Sequence, residues 1–274
     1  MRALRLTLVA AALLLLAGPS GARAQTPGQP PAATEAVDAR TWLGRAEEIE
    51  TYLKQVQVVS LDQIPIGVTK PQRPELPPGG PVDAFAWKPI APGTYQGFWE
   101  SYKAEVAAYE LDKLLNLDMV PVTVEREVDG ERGAAAMWVA PAQSFDDLGG
   151  RPTAIPREYR RQWNHQNRSA VMFDNLICNT DSNLGNWLID PAWNIILIDH
   201  SRAFTTDTTM VHPMDRVIRA LWVRMQALTE ESLTAALGAW LNAEEIGAIL
   251  ERRDRMADEV AKLVETKGES GAFR

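Results

Sequence analysis

The chain has 274 residues and a formal net charge of −8, and 46% of its residues are hydrophobic. An acidic balance of this size disfavours non-specific binding to nucleic acid or to an anionic membrane. Cys178 is the only cysteine, which excludes an intrachain disulfide and a cysteine-based metal site, and the presence of only three histidines disfavours a zinc site made of histidines.

The first 24 residues predict a signal peptide. Arg2 and Arg5 provide a basic start, residues 6–17 form an apolar core, and Ala22-Arg23-Ala24 fits a cleavage site of small residues. The core is shorter than the about 20 residues that a spanning helix needs. We therefore expect an exported protein, periplasmic or secreted, with a retained signal anchor as the alternative. Cleavage after residue 24 removes three arginines and no acids, so the net charge would change from −8 to −11.

Residues 25–39 predict a disordered tether, because they are rich in proline and alanine. Residues 40–140 predict an N-lobe made mainly of strands. Helical spacing covers 40–54 and 102–117, and the second of these helices is inserted among the strands. The other predicted elements of this lobe are a β-branched run at 56–60, a loop or edge strand at 71–81, a strand at 84–90, a loop at 93–99, and strands at 121–128 and 134–139 joined by a turn at 129–133.

Residues 141–274 predict a mainly helical C-lobe. A polar connector at 141–156 opens it, and Asn242 is the expected N-cap of its last helix. The predicted helices span 157–178, 213–228, 230–241 and 243–266. A β-rich lobe, a connector and an α-rich lobe together indicate an α+β protein with two lobes and a cleft between them.

Residues 179–204 carry the strongest functional signal of the chain. Two short apolar runs, 187–189 and 195–198, flank the turn-forming segment 190–194 and predict a tight β-hairpin. The hairpin would bring Asn186, at its start, close to Asp199, at its end. Two oxygen ligands suit a hard cation such as Mg²⁺, and Asp181 just outside could orient or deprotonate a hydroxyl, as in phosphoryl transfer. The structural alternative is that all three residues serve turns and strand ends.

A phosphoryl-transfer site also needs a cation from the other lobe, held by a carboxylate on the neighbouring helix. Lys88 ends the predicted strand at 84–90, and Glu105 lies in the first turn of the next predicted helix. Each has a simpler reading, since Lys88 could be a solvated strand end and Glu105 a favourable helix-dipole residue. Their order and spacing relative to Asp181, Asn186 and Asp199 favour the functional reading.

These segments resemble the atypical protein-kinase-like fold. The motifs are Lys88 on its strand, KAEVAAYELDKLLNL at 103–117, VPVTVER at 120–126, NTDSNLGN at 179–186 and IDHSRAF at 198–204. Similar members are the HipA kinases, the phosphatidylinositol 3/4-kinase-like proteins and the secretory-pathway kinases related to the Golgi casein kinase. The resemblance spans roughly residues 56–228.

The resemblance implies a role for each candidate residue. ATP or another nucleoside triphosphate would bind with Mg²⁺ or Mn²⁺, and the phosphoryl group would pass to a hydroxyl of a protein, glycan, lipid headgroup or small molecule. Asp181 would be the catalytic base and Asn186 and Asp199 the metal ligands. The nucleotide would be bound by Lys88, by Glu105 as its ion-pair partner with Glu110 as the fallback, by Met137 and Val139 in the hinge at 137–140, and by Gly67 in a phosphate-covering loop.

The chain also departs from the family pattern. It lacks a G-x-G-x-x-G motif, Ser182 and Asn183 follow Asp181 where many relatives have a basic pair, and His200-Ser201 follows Asp199 in place of Phe-Gly. An inactive pseudokinase that binds a nucleotide or another ligand in the cell envelope is therefore the alternative function, and a purely structural envelope protein is a third.

Overall fold

The structure is a computed structural model that describes residues 37–63 and 72–274. The predicted signal peptide, the predicted tether up to residue 36 and Gly67 lie outside the described residues. The folded part begins before Arg40, since the side chain of Ala39 is buried and its N–H donates to the Asp190 carboxylate over 2.9 Å. Among the described residues, none of the helices combines the length and apolar character needed to cross a bilayer.

The first half of the chain is an antiparallel sheet with two helices packed on it. Its five strands lie in the order β1-β2-β3-β7-β6. A separate two-stranded hairpin, β4–β5, precedes helix α2. The elements are α1 (Ala46–Gln55), β1 (Ser60–Gln63), β2 (Gln72–Glu75), β3 (Phe85–Lys88), β4 (Gly93–Tyr95), β5 (Phe98–Glu100), α2 (Tyr102–Leu115), β6 (Thr123–Val128) and β7 (Glu131–Met137).

Two tight turns connect neighbouring strands of this half. Asp129 and Gly130, with φ of 52° and 84°, connect β6 to β7, because a two-residue hairpin turn of this kind requires positive φ at both positions. Gln96 and Gly97, with φ of 50° and 88°, connect β4 to β5 in the same way. The prediction of a loop at 93–99 was therefore wrong, because glutamine gives little sign that it will adopt a left-handed conformation.

Helix α2 lies between the two halves of the molecule. The side chain of Ser101 caps its N-terminus by accepting the Lys103 N–H, and Asn116 ends it in a left-handed conformation. Alanines on α2 permit close approach, so that the helix packs on β6 and β7 and also contacts helices of the second half. Any side chain in the first turn of α2 is thereby held at the junction of the halves.

The second half is mainly helical and includes a small three-stranded sheet in the order β10-β9-β8. The longest helix, α6, begins at Asn242, whose side chain accepts the N–H groups of Glu244 and Glu245 as predicted for an N-cap. The elements are β8 (Gln143–Ser144), α3 (Arg160–Ile177), β9 (Trp187–Ile189), β10 (Ile195–Leu197), α4 (Arg219–Gln226), α5 (Glu230–Leu237), α6 (Ala243–Lys267) and α7 (Glu269–Ala272), with a 3₁₀ turn at Leu184–Asn186.

The predicted helix at 213–228 is shorter than expected, since α4 begins only at Arg219. Val217 forms a parallel bridge with Phe273, and its N–H donates to Ala272 while its carbonyl accepts from Arg274. The backbone before α4 is thus paired with the C-terminus of the chain. This long-range pairing leaves no local trace in the sequence.

Candidate active site

A cavity of about 1000 Å³ lies between the sheet half and the helical half. Residues of both halves line it, including those of β3, α2 and the strand end of β7 on one side and the β9–β10 region on the other. The lining contains every candidate site residue that the structure describes, namely Lys88, Glu105, Met137, Val139, Asp181, Asn186 and Asp199.

Inside this cavity, Lys88 forms ion pairs with a residue of each half. Its Nζ lies 2.7 Å from Oε1 of Glu105 and 2.9 Å from Oδ1 of Asp199. The side chains of Lys88 and Glu105 are 7% and 3% exposed, whereas that of Asp199 is 29% exposed. Lys88 is therefore not a solvated strand end. Glu110, the fallback partner, instead pairs with Lys113.

The mutual charges of this cluster shift its pKa values. Burial alone would lower the pKa of Lys88, but the charges of Asp199 and Glu105 outweigh burial and raise that pKa above its ordinary value. Burial raises the pKa of Glu105 in spite of Lys88. Enclosure would raise the pKa of Asp199, but Lys88 holds it below its ordinary value. Burial also lowers the pKa of the neighbouring His200 to about 3, so its imidazole is neutral.

Backbone hydrogen bonds hold the start of α2 against the segment that follows β10. Oε2 of Glu105 accepts the N–H of His200 over 3.0 Å, and the N–H of Ser101 donates to the carbonyl of Ser201 over 2.8 Å. Glu105 therefore contacts Lys88 through one oxygen and the Asp199 segment through the other. Asp199 itself has a φ of 61°, in the left-handed region that aspartate tolerates better than most residues.

The β9–β10 hairpin brings its two ends together. The N–H of Ile198 donates to the carbonyl of Asn186 over 3.0 Å, and the Nδ2 of Asn186 donates to the carbonyl of Asp181 over 2.8 Å. The amide nitrogen of Asn186 is thus used internally, and no described group pairs with its Oδ1. An amide oxygen and the Asp199 carboxylate are a donor set that fits a hard divalent cation, which takes its other ligands from water or phosphate.

Asp181 lies at the rim of the cavity. Its side chain is 29% exposed, its Oδ2 is 3.3 Å from Nη1 of Arg202, and its Oδ1 accepts from Nδ2 of Asn183 over 3.1 Å. A carboxylate in this position is open to a hydroxyl that enters the cavity. Two neighbours restrict its rotation.

A buried carboxylate supports the loop that carries Asp181. Asp174, at the end of α3, accepts the hydroxyl of Ser182 and the Nδ2 of Asn179, and Ser182 in turn accepts the Nε1–H of Trp187 over 2.8 Å. Burial raises the pKa of Asp174 to about 6, although these hydrogen bonds oppose the shift. Ser182, which replaces a basic residue of the family pattern, is therefore a structural hydrogen-bond donor here.

The segment that leaves β7 connects the sheet half to the helical half. The N–H groups of Met137 and Trp138 are bonded to Val122 and Ala84, respectively. Within the described part of the chain, no backbone or side-chain acceptor pairs with the next N–H, that of Val139. Val139 lines the cavity, so its amide is available to a ligand there.

Sequence reasoning missed two residues of the site, Glu100 and Arg202. Arg202 bridges Glu100 and Asp181 and also lines the cavity. Arg202 is part of the IDHSRAF motif, so its position three residues after Asp199 could have been noticed. Nothing in the local pattern distinguishes Glu100 from an exposed acid at the end of a strand.

No protein-family model matches this chain, and no curated protein matches it. Solved structures do. The Golgi casein kinase with Mn/ADP bound superposes with a TM-score of 0.64 at 14% identity, covering 83% of this chain and 78% of that one. A hydra Fam20 structure with sugar superposes with a TM-score of 0.63 at 15% identity, covering 84% of this chain and 92% of that one. At such identities the likeness shows the fold alone, and it confirms the predicted two-lobed, α+β, atypical protein-kinase-like fold.

Proposed function

We propose that this chain is a metal-dependent phosphotransferase that moves the γ-phosphoryl group of a nucleoside triphosphate to a hydroxyl acceptor. The observation that carries the proposal is the Lys88 cluster. A buried lysine from one lobe is held between a helix carboxylate and the carboxylate of Asp199 from the other lobe, at the wall of a cavity of about 1000 Å³. A kinase-like fold with a cation in this place is suited to hold phosphates.

Each candidate residue takes one role in this proposal. Lys88 binds the nucleotide phosphates and Glu105 fixes Lys88. Asn186 and Asp199 hold Mg²⁺ or Mn²⁺, which supplies positive charge to the phosphates when bound. The backbone of Met137 and Val139 faces the base.

Asp181 acts as the general base of the transfer. The acceptor oxygen forms a bond to the γ-phosphorus as the bond from that phosphorus to the bridging oxygen of the leaving diphosphate breaks. The acceptor proton passes to the carboxylate of Asp181. Its partial exposure leaves room for that hydroxyl, and its contacts with Arg202 and Asn183 keep it oriented.

A second function is supported by one observation. The carboxylate of Asp181 is already engaged by Arg202 and Asn183, and no basic pair follows it. The same cavity could therefore bind a nucleotide or another ligand without turnover, as in a pseudokinase. Turnover separates the two functions, because both require nucleotide binding.

We further propose that the protein is exported to the periplasm or the extracellular space, with residues 1–24 as its signal, residues 25–39 as its tether, residues 40–140 as its N-lobe and residues 141–274 as its C-lobe. The order of the described elements and the signal-like start of the sequence support this organisation. Fractionation of cells that express the full chain, with the N-terminus of the product sequenced, tests the signal and its cleavage.

The decisive experiment combines binding and transfer. Purified protein is heated with ATP and Mn²⁺ to measure the thermal shift, and transfer of labelled phosphate is measured on a protein, an oligosaccharide and glycerol as hydroxyl probes. Asp199→Asn should abolish the shift, and Asp181→Asn should retain it while losing transfer. Asp254→Asn, an exposed α6 carboxylate outside the cavity, is the matched control. Full transfer by Asp181→Asn would refute the base assignment, and binding without transfer by the wild type would favour the second function.

A further inference from the structure

The guanidinium of Arg202 connects the base position to a hairpin of the other lobe. Its Nε donates to Oε1 of Glu100 over 2.9 Å, and its Nη2 lies 2.8 Å from the same oxygen. Its Nη1 lies 3.3 Å from Oδ2 of Asp181, and its plane stacks on the ring of Phe98 at 4.3 Å. Glu100 and Phe98 are both residues of β5.

Arg202 stabilises the buried carboxylate of Glu100. The side chain of Glu100 is 2% exposed, and within the described part of the chain its Oε2 has no hydrogen-bond partner. A buried carboxylate without a cation is costly, because its desolvation is then uncompensated. Arg202 is therefore held firmly on the hairpin side. Its side chain is 16% exposed and lines the cavity together with Asp181.

The hairpin and the Arg202 segment are also joined through the backbone. The N–H of Ser101, directly after Glu100, donates to the carbonyl of Ser201. The residue before Arg202 is thus fixed at its backbone by one hydrogen bond, and the head group of Arg202 is fixed by Glu100. A rigid guanidinium is suited to hold a carboxylate at a defined angle, which a lysine ammonium on a flexible stem is not.

We propose that Arg202 is a positioning residue that orients the carboxylate of Asp181 toward the acceptor and couples it, through Glu100, to the β4–β5 hairpin. This inference rests on the proposed phosphotransfer function. Glu100 does not contact Asp181, so it acts on the reaction only through Arg202. Glu100 is the residue of this hairpin that lines the cavity, so a change in the hairpin reaches Asp181 through Glu100 and Arg202.

The test compares Arg202→Lys, Glu100→Gln and the double variant in the presence of ATP and Mn²⁺. Phosphate release with water as the acceptor reports turnover, and the thermal shift reports nucleotide binding. Each single variant should lower kcat at least tenfold, with the KM for ATP and the thermal shift unchanged. The kcat of the double variant should be no lower than that of Arg202→Lys, because both changes break the same connection between Glu100 and Asp181.

The chain contains a matched control for this arrangement. Arg219 pairs with Glu269 at 2.6 Å and stacks on Phe273 at 3.9 Å, outside the cavity. Arg219→Lys should leave kcat within twofold of the wild type. Unchanged kcat in Arg202→Lys, additive losses in the double variant, or a reduced thermal shift in either single variant would overturn the proposal.

Failure of the function and failure of the coupling are distinguishable. If the wild type releases no phosphate, the proposed function fails. The link is then measured by hydrogen exchange, where Arg202→Lys should speed exchange in both 93–100 and 179–186 while Arg219→Lys changes neither. Unchanged exchange in these segments overturns the coupling, whatever the activity.

Discussion

Replacing Lys88 by methionine tests the central cluster most directly. The change keeps an unbranched side chain, one atom shorter, but removes the ammonium that lies 2.7 Å from Glu105 and 2.9 Å from Asp199. Two carboxylates are then left within roughly 6 Å of each other, where they repel by about 3 kcal/mol at an effective dielectric constant of about 20. Breaking a buried ion pair by removing one partner costs about 3–5 kcal/mol. We expect a loss of unfolding free energy in this range at pH 8.

The loss should depend on pH with a defined sign. Burial already raises the pKa of Glu105, and loss of Lys88 raises it further. The folded variant then binds a proton more tightly than its unfolded chain, so the folded state gains stability as the pH falls. The unfolding free energy of the variant should therefore be closer to that of the wild type at pH 5.5 than at pH 8. Glu105→Gln in the Lys88→Met background should recover part of the loss at pH 8.

Urea unfolding, followed by tryptophan fluorescence at both pH values, measures these quantities. Lys113→Met is the matched control, because Lys113 also lies between two carboxylates, those of Glu50 and Glu110, but is 36% exposed. Its removal should cost less than about 1 kcal/mol. The reasoning is refuted if Lys88→Met costs no more than this control, or if its cost is equal at pH 8 and pH 5.5.

Two further predictions concern the support of the site. Burial raises the pKa of Asp174 from 3.8 to about 6, so the contribution of this carboxyl group to stability falls as the pH rises. Urea titrations should therefore show that the unfolding free energy of the wild type, relative to that of Asp174→Asn, drops by about 2 kcal/mol between pH 4 and pH 7. A difference that stays constant with pH would contradict this. Gly133→Ala would place a Cβ 2.7 Å from the carbonyl oxygen of Lys88 and 2.7 Å from Cα of Pro89, so it should cost about 1–3 kcal/mol of stability. Gly247→Ala, in open space on α6, should instead raise stability by about 0.5–1 kcal/mol, and equal effects of the two changes in thermal unfolding would contradict the packing argument.

The parts of the fold that sequence predicts best are those set by local chemistry. The β9–β10 hairpin follows from two apolar runs around a Pro-containing turn, and it forms at Trp187–Ile189 and Ile195–Leu197. The helix at 102–117 follows from its apolar stripe and ends two residues earlier, at Leu115, because Asn116 adopts a left-handed conformation. In both cases, the deciding interactions join residues that are close in the chain.

The parts that sequence misses depend on distant contacts. Arg202 and Glu100 are 102 positions apart, and each by itself reads as a surface charge. The backbone at 213–218 is not helical, and Val217 within it pairs with the C-terminal residues 272–274, which no local pattern indicates. The pairing of Lys88 with Glu105 could be predicted only from their order relative to the candidate residues in 179–204, which phosphoryl transfer requires and the kinase-like resemblance also implies.

The charges around the cavity predict that nucleotide binding depends on a divalent cation. Lys88 lies between Glu105 and Asp199, and Arg202 lies between Glu100 and Asp181. Among the cavity-lining residues that the structure describes, these two are the only lysine and arginine, and each is matched by two carboxyl groups. A triphosphate that enters such a site meets an excess of negative charge, and salt screens repulsion between partly buried charges much less than between exposed ones. We therefore expect ATP with EDTA to give no thermal shift even at millimolar concentration, and ATP with Mn²⁺ to restore it. A metal-independent shift that survives Asp199→Asn would mean that the phosphates lie elsewhere.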